Sequence, residues 1–253
     1  MEKNNYWSNR KTIRSFSEKQ IDDSIIYKYL KEASHAPTTS NMQLYSVIIT
    51  RDPEMKAKLT PAHFNQPAST NAPILLTFCA DFNRFCKWCD ASNAEPGYNN
   101  FQSFIAAVLD TTILAQQFNT IAEMNGLGCC YLGTTTYNAQ HIADILRLPD
   151  MVVPIITLAV GYPNEEGSVS DRLPIDAIVH KETYKELPSS DVRNRFYKLK
   201  EELCESKHFV EQNNKESLAQ VFTDVRYPKS NNEHFSKLFY EFIEKSGYQW
   251  PND

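Results

Sequence analysis

The chain has 253 residues, with 26 Lys and Arg against 31 Asp and Glu, a formal charge of −5. That balance argues against a general nucleic-acid binder, which carries a basic surplus, and leaves room for a local basic pocket. With 42% hydrophobic and 23% charged residues, the composition is that of a globular chain rather than a disordered one, and the length suits one large domain or two small ones.

Residues 1–16 are polar, and no stretch approaches 18 apolar residues, so neither a secretion signal nor a membrane span is expected. The six cysteines (Cys79, Cys86, Cys89, Cys129, Cys130 and Cys204) then read as reduced thiols of a cytoplasmic protein.

The first segment, Asn5 to Phe16, contains a basic cluster at Arg10, Lys11 and Arg14. A helix follows, with Asp22 as its N-cap and Ile26, Leu30 and Ala33 on one face. Residues 36–41 break it with small polar residues. Strands are expected at 46–50, 73–80, 129–133 and 152–160. The 73–80 run is continuously apolar, as in a strand buried on both faces. Helices are expected at 55–59, 104–124 and 139–146. The apolar residues of 104–124 are not confined to a narrow stripe, which predicts a central, well-buried helix, closed by Gly126 and Gly128. Alternating helices and strands indicate an α/β or α+β sandwich. Beyond His180 the chain is mostly polar helix, so the expected division is a core over 1–180 and a helical extension over 181–253.

Several chemistries lack their signatures. The chain has no G-x-G-x-x-G, no G-x-x-x-x-G-K-[ST], no H-E-x-x-H and no G-x-S-x-G, and only seven glycines. Cys86-Lys87-Trp88-Cys89 is a C-x-x-C that could be a redox pair or half a zinc site. No second pair follows, and a polar loop at residues 81–84 is expected before it, so incidental thiols are the favoured reading. The six histidines are scattered and read as structural or exposed. Arg10-Lys11-Thr12-Ile13-Arg14 is more informative: two arginines, a lysine and a hydroxyl within five residues can clamp a phosphate, or form a solvated charged end.

Arg10-Lys11-Thr12-Ile13-Arg14-Ser15-Phe16 resembles the N-terminal signature of the FMN-dependent nitroreductases. Ala33-Ser34-His35-Ala36-Pro37-Thr38-Thr39-Ser40-Asn41-Met42-Gln43 follows at the family's distance. Gly126-Leu127-Gly128, Tyr131-Leu132-Gly133, Leu146-Arg147-Leu148-Pro149 and Gly161-Tyr162-Pro163 then recur in family order. Arg172-Leu173-Pro174 and the helical tail resemble the branch of oxygen-insensitive nitroreductase A and the NADPH-flavin oxidoreductases. The resemblance spans nearly the whole chain.

It implies an α+β fold with a central mixed sheet wrapped by helices, and a homodimer with FMN at the interface. Arg10, Lys11 and Thr12 would hold the phosphate and ribityl chain, and Arg172 would be a second phosphate ligand. Arg14 would face the pyrimidine edge of the ring, where a cation favours the reduced, anionic flavin. Thr38, Thr39 and Ser40 would line the cofactor from the partner chain. Gln66 would bond the ring, and the backbone of Leu132, Gly133 and Thr134 would face N5. The chemistry implied is ping-pong transfer of two electrons from NADPH or NADH to a nitroaromatic, quinone or flavin, with no side-chain acid or base. A non-catalytic FMN-binding or redox-sensing protein is the alternative.

Three positions depart from the branch. Ser170 replaces a lysine, Thr134 replaces the second glycine of a pair, and Asn41 stands where an aromatic often covers the substrate. In the extension, Lys207, Lys215 and Arg226 are candidates for the NADPH 2′-phosphate. Lys215 leads because it lies in the polar loop Gln212-Asn213-Asn214-Lys215.

Overall fold

The computed structural model describes residues 6–250, so Asn5, where the first expected segment begins, lies outside them. One compact unit runs to Ser168 and resumes at Phe235; the other is Val169–His234. The first contains α1 (Tyr6–Asn9), α2 (Asp23–Ala33), β1 (Tyr45–Thr50), α3 (Pro53–Leu59), α4 (Pro67–Asn71), β2 (Ile74–Asp81), α5 (Asn83–Ala91), α6 (Phe101–Met124), β3 (Gly128–Leu132), α7 (Ala139–Leu146) and β4 (Val152–Gly161). The second contains α8 (Ser189–Val192), α9 (Lys198–Glu202), α10 (Cys204–Gln212) and α11 (Leu218–Val221), and α12 (Lys229–Lys245) begins in it. No described helix is long and apolar enough to cross a membrane.

The fold is α+β, as expected, but the sheet is not mixed. Its order is β1-β2-β4-β3, and all three pairings are antiparallel. The reason is the position of β4. Strands β2 and β3 run in the same direction, yet β4 inserts between them and opposes both. Local alternation of helix and strand carries no information about such an insertion.

Local signals do set the element ends. Asp22 caps α2 by accepting from Ser24 N at 2.7 Å. Asn100 accepts from Ser103 N at 3.0 Å and starts α6 three residues earlier than expected. At the other end, Leu127 N bonds Ala122 O at 3.0 Å and Gly126 N bonds Glu123 O at 3.1 Å. That closure needs a left-handed residue, which Gly126 supplies at φ 85°. Gly128 is the first residue of β3 rather than part of the helix end. The polar loop expected at 81–84 is instead the junction of β2 and α5. Asp81 Oδ1 accepts from Arg84 N at 3.1 Å, satisfying a donor of the first helical turn.

Helix α6 is not buried all round. Phe104, Ala107, Thr111, Leu114, Phe118 and Ala122 form a buried face, and α2 and one face of the sheet join several of them in a core with Ile26, Leu76, Phe78 and Leu158. On its other side Leu109 is 56% exposed and Ile113 41%. The opposite sheet face supports a second core, in which Ile13, Phe16, Leu59, Ala62, Cys130 and Leu132 meet.

The N-terminal segment crosses the ends of β3 and β4. Ile13 N bonds Cys129 O at 3.3 Å and Ser17 N bonds Tyr162 O at 2.9 Å. The close approach requires bare backbone beneath it: a Cβ on Gly161 would lie 2.7 Å from Phe16 Cδ1, and one on Gly128 2.7 Å from Ile13 Cβ. Gly161→Ala should therefore destabilise the protein by about 1–3 kcal/mol, the usual cost of overpacking, read as a lowered urea midpoint with unchanged slope. Gly97→Ala, where nothing lies within 4 Å, is the control and should leave the midpoint in place.

Candidate active site

The basic cluster is neither solvated throughout nor wholly free. Arg10 is clasped by Glu123 at the end of α6, with Nη2 3.0 Å from Oε1 and Nε 3.2 Å from Oε2. Its Nη1 donates to Thr12 Oγ1 at 3.3 Å. Tyr6 adds an O–H donor to the same carboxylate; burial and then Glu123 push the Tyr6 phenol above its ordinary range. By contrast, Lys11 and Arg14 make no ion pair among the described residues. The backbone N–H groups of Arg14 and Ser15 both bond the Glu165 carboxylate and hold it below the usual range. The turn 10–15 is thus fixed from two sides, with two cations left without a carboxylate.

Two further segments converge on the core beneath this turn. The 59–68 loop contributes Leu59, Ala62 and Ala68, and Gln66 stands half-buried as the N-cap of α4. Phe64 and Asn65 just before it are left-handed at φ 54° and 53°. Strand β3 delivers Leu132, then Gly133 and Thr134. Gly133 is exposed, with nothing within 4 Å of the place a Cβ would take. Loop and turn are bridged by Asn138 Nδ2 donating to Ala62 O at 2.7 Å and by His63 Nδ1 at 3.0 Å from Thr134 Oγ1. Hence Lys11, Thr12, Arg14, Gln66, Leu132, Gly133 and Thr134 belong to segments built around one core.

Thr38, Thr39, Ser40 and Asn41 lie elsewhere. Thr39 N and Oγ1 both donate to Asp110 Oδ1 at 2.8 and 2.9 Å, and Leu44 N reaches Asp110 Oδ2 at 3.3 Å. Ser40, Asn41 and Gln43 are left-handed, at φ 48°, 57° and 55°. Asp110, which holds this loop, and Glu123, which holds Arg10, are thirteen residues apart on one helix, about 20 Å at 1.5 Å per residue. Arg172 and Lys215 lie in the second unit. Arg172 Nη1 bonds the carbonyls of Asp171 and Ser170 at 2.8 and 3.1 Å. Lys215 is paired with Asp224 at 2.9 Å, and that bond lowers the Asp224 carboxyl.

Sequence reasoning missed Glu123, Asp110, Glu165 and His63. Two left a signal. Asp110 is an acid on the buried stripe of an apolar helix, and Glu123 an acid at a helix C-terminus, where the helix dipole disfavours it; each calls for a partner. His63 left none, because its partner Thr134 is 71 residues away. As for the C-x-x-C, Cys86 and Cys89 sit inside α5 rather than at its start. Burial and then Cys89 push the Cys86 thiol up, away from the reactive thiolate. Among the described residues no three metal-ligating side chains cluster.

His63 is fully buried, and burial lowers its pKa from 6.5 to about 4. The unfolded chain therefore binds a proton between pH 6.5 and 4 that the folded protein refuses, so stability falls as pH falls through that window. Its size is about 3 kcal/mol. Denaturant titrations should show that extra loss in the wild type relative to His63→Gln; equal pH profiles would contradict it.

The family model described as "Nitroreductase family" matches residues 8–162. An FMN reductase (NADPH) of Bacillus subtilis is 33% identical over 178 residues, covering 70% of this chain and 72% of that protein. A crystal structure from Bacteroides fragilis superposes with a TM-score of 0.94 at 50% identity, covering 97% of this chain and 99% of that one. The NfrA1 nitroreductase of B. subtilis follows with a TM-score of 0.82 at 27% identity, over 94% and 96% of the two chains.

Proposed function

The chain belongs to the nitroreductase family, and on that footing we propose that it is an FMN-dependent NAD(P)H oxidoreductase that reduces nitroaromatics, quinones or flavins by a ping-pong, two-electron route. The observation that carries the reading is the turn 10–15, which offers the Lys11 and Arg14 cations, neither in an ion pair among the described residues, beside the Thr12 hydroxyl. Such a set suits a phosphate monoester. The open backbone at Gly133 and the half-buried Gln66, each in a segment that contributes other residues to the same core, suit a flat heteroaromatic ring carrying donors and acceptors along its edge.

When bound, FMN supplies the two-electron chemistry at N5. The chain's own residues bind and orient. Lys11 and Thr12 hold the phosphate end. Arg10 is steered by Glu123 and presents its remaining edge beside Thr12. Arg14 provides positive charge at the ring, where negative charge develops on reduction. Gln66 bonds the ring edge, and the backbone of Leu132, Gly133 and Thr134 bounds the reactive face. Arg172 remains a phosphate ligand by its place in the sequence. No general acid or base is required of the protein.

A homodimer is part of the proposal. Two observations support it: apolar Leu109 and Ile113 are exposed on α6, and Thr38, Thr39, Ser40 and Asn41 are held about 20 Å along α6 from the point that holds Arg10. In a dimer those four residues would serve the partner's cofactor, with Asn41 against the substrate. We place the enzyme in the cytoplasm.

The purified protein should be yellow and release FMN, not FAD, on denaturation, identified by chromatography and fluorescence. A colourless protein that takes up no added FMN overturns the reading. Rapid NAD(P)H oxidation with a quinone or nitroarene separates it from a non-catalytic flavin binder.

Lys215 is proposed as the residue that reads the NADPH 2′-phosphate, exchanging its bond to Asp224 for one to the phosphate. A charge-assisted contact of this kind contributes roughly 1.5–3 kcal/mol. In Lys215→Ala, kcat/KM for NADPH should drop by about tenfold or more while the NADH value holds. An unchanged ratio leaves Lys215 as a surface ion pair.

A further inference from the structure

The two ring nitrogens of His63 have unequal surroundings. The residue is 0% exposed; Nδ1 lies 3.0 Å from Thr134 Oγ1, and Nε2 has no hydrogen-bond partner among the described residues. Burial keeps the ring neutral at ordinary pH, so it carries one proton, on one nitrogen or the other. With the proton on Nε2, an N–H is buried with no acceptor and Thr134 gives its own hydrogen to Nδ1. With the proton on Nδ1, the ring donates to Thr134, only a lone pair goes unused at Nε2, and the threonine hydrogen is released. Buried N–H groups without partners are the rarer defect, which favours the second arrangement. The Thr134 hydroxyl bonds no other group among the described residues.

Thr134, itself 7% exposed, follows the exposed Gly133 in the turn that the proposed function sets against the flavin, at a position where the resembling branch has a glycine. We propose that His63 is a positioning residue that keeps its proton on Nδ1 and thereby fixes the Thr134 hydroxyl as a hydrogen-bond donor to an acceptor atom on the reactive edge of the flavin. This rests on the reading that residues 132–134 face that edge. The bond from Asn138 to Ala62 holds loop and turn together independently, so losing the His63 contact alters the orientation of the hydroxyl without separating the two segments.

Two measurements test it. In the flavin-free full-length protein, 15N NMR of the imidazole reads the tautomer directly, and the proton should be on Nδ1. In FMN-loaded protein, stopped-flow gives the rate of flavin reduction by NADPH for wild type, Thr134→Val, Thr134→Ser, His63→Leu and the Thr134→Val/His63→Leu double variant. Loss of one donor bond should slow reduction by about tenfold in Thr134→Val, with FMN affinity held within about twofold. Thr134→Ser, which keeps the hydroxyl, should recover most of the rate lost in Thr134→Val. His63→Leu should match Thr134→Val, and the double variant should be no slower than either, as for two residues acting through one contact. A proton on Nε2, an unaffected Thr134→Val, or losses that multiply would each overturn the proposal. Should His63→Leu fail to fold, the tautomer and the Thr134 pair decide. A wild type that takes up no FMN defeats the parent reading and the flavin half of this one, while the tautomer still stands or falls by NMR.

Discussion

Two carboxylates on one apolar helix organise the molecule around the candidate site. A carboxylate removed from water costs several kcal/mol unless it is paired and hydrogen-bonded. Asp110 is 2% exposed and the Glu123 side chain 8%. Neither finds a partner on its own helix. Asp110 draws in the backbone and hydroxyl of Thr39 and the backbone of Leu44; Glu123 draws in Arg10 and Tyr6. Two irregular segments, each without a sheet ladder of its own, are thereby fixed to a rigid 24-residue rod. The separation of the two acids along that rod dictates which residues of one chain can share a small ligand and which cannot.

The same pairing sorts the N-terminal cations. Arg10 is neutralised by its clasp and acts chiefly as a strut that orients the turn. Lys11 and Arg14 have no ion pair among the described residues. An anion approaching this turn meets two cations held in place by backbone bonds to Glu165 and by the bare backbone of Gly128 and Gly161 beneath. The backbone of the turn is thereby ordered before binding, and what an anion still has to order is the two long side chains.

Much of this was legible in the sequence, for reasons that can be located. The strands at 45–50, 74–81, 128–132 and 152–161 fall within a residue or so of where apolar runs and breakers put them, most plainly β2, whose burial on both faces writes a continuous apolar string. Asp22 announced itself as a cap through a bond that spans only two residues. What failed depended on distant partners. The insertion of β4 between β2 and β3 is a tertiary choice, so the sheet came out antiparallel rather than mixed. The apolar residues of α6, not confined to one stripe, suggested a central, well-buried helix; one side is buried, while Leu109 and Ile113 are exposed in the single chain. At the site, residue types pointed to Lys11, Thr12 and Arg14. The groups that hold the turn, Glu123 through Arg10 and Glu165 through the backbone of Arg14 and Ser15, are more than a hundred residues away, and only Glu123 leaves a faint mark, as an acid in an unfavourable place.

The loop that carries Ser40, Asn41 and Gln43 has a consequence for how the protein can change. Three of its four residues from 40 to 43 adopt the left-handed conformation without being glycine. Side chains branched at Cβ are excluded there by contact with their own backbone, and bulky ones are disfavoured. The residues accepted without strain are few: glycine, asparagine, aspartate and their near equivalents. Mutational drift at Asn41 is thus confined to a narrow chemical alphabet. Diversification of the proposed acceptor pocket would be channelled to positions with ordinary backbone, such as Thr38 at φ −136°, where size and polarity can vary without disturbing the chain.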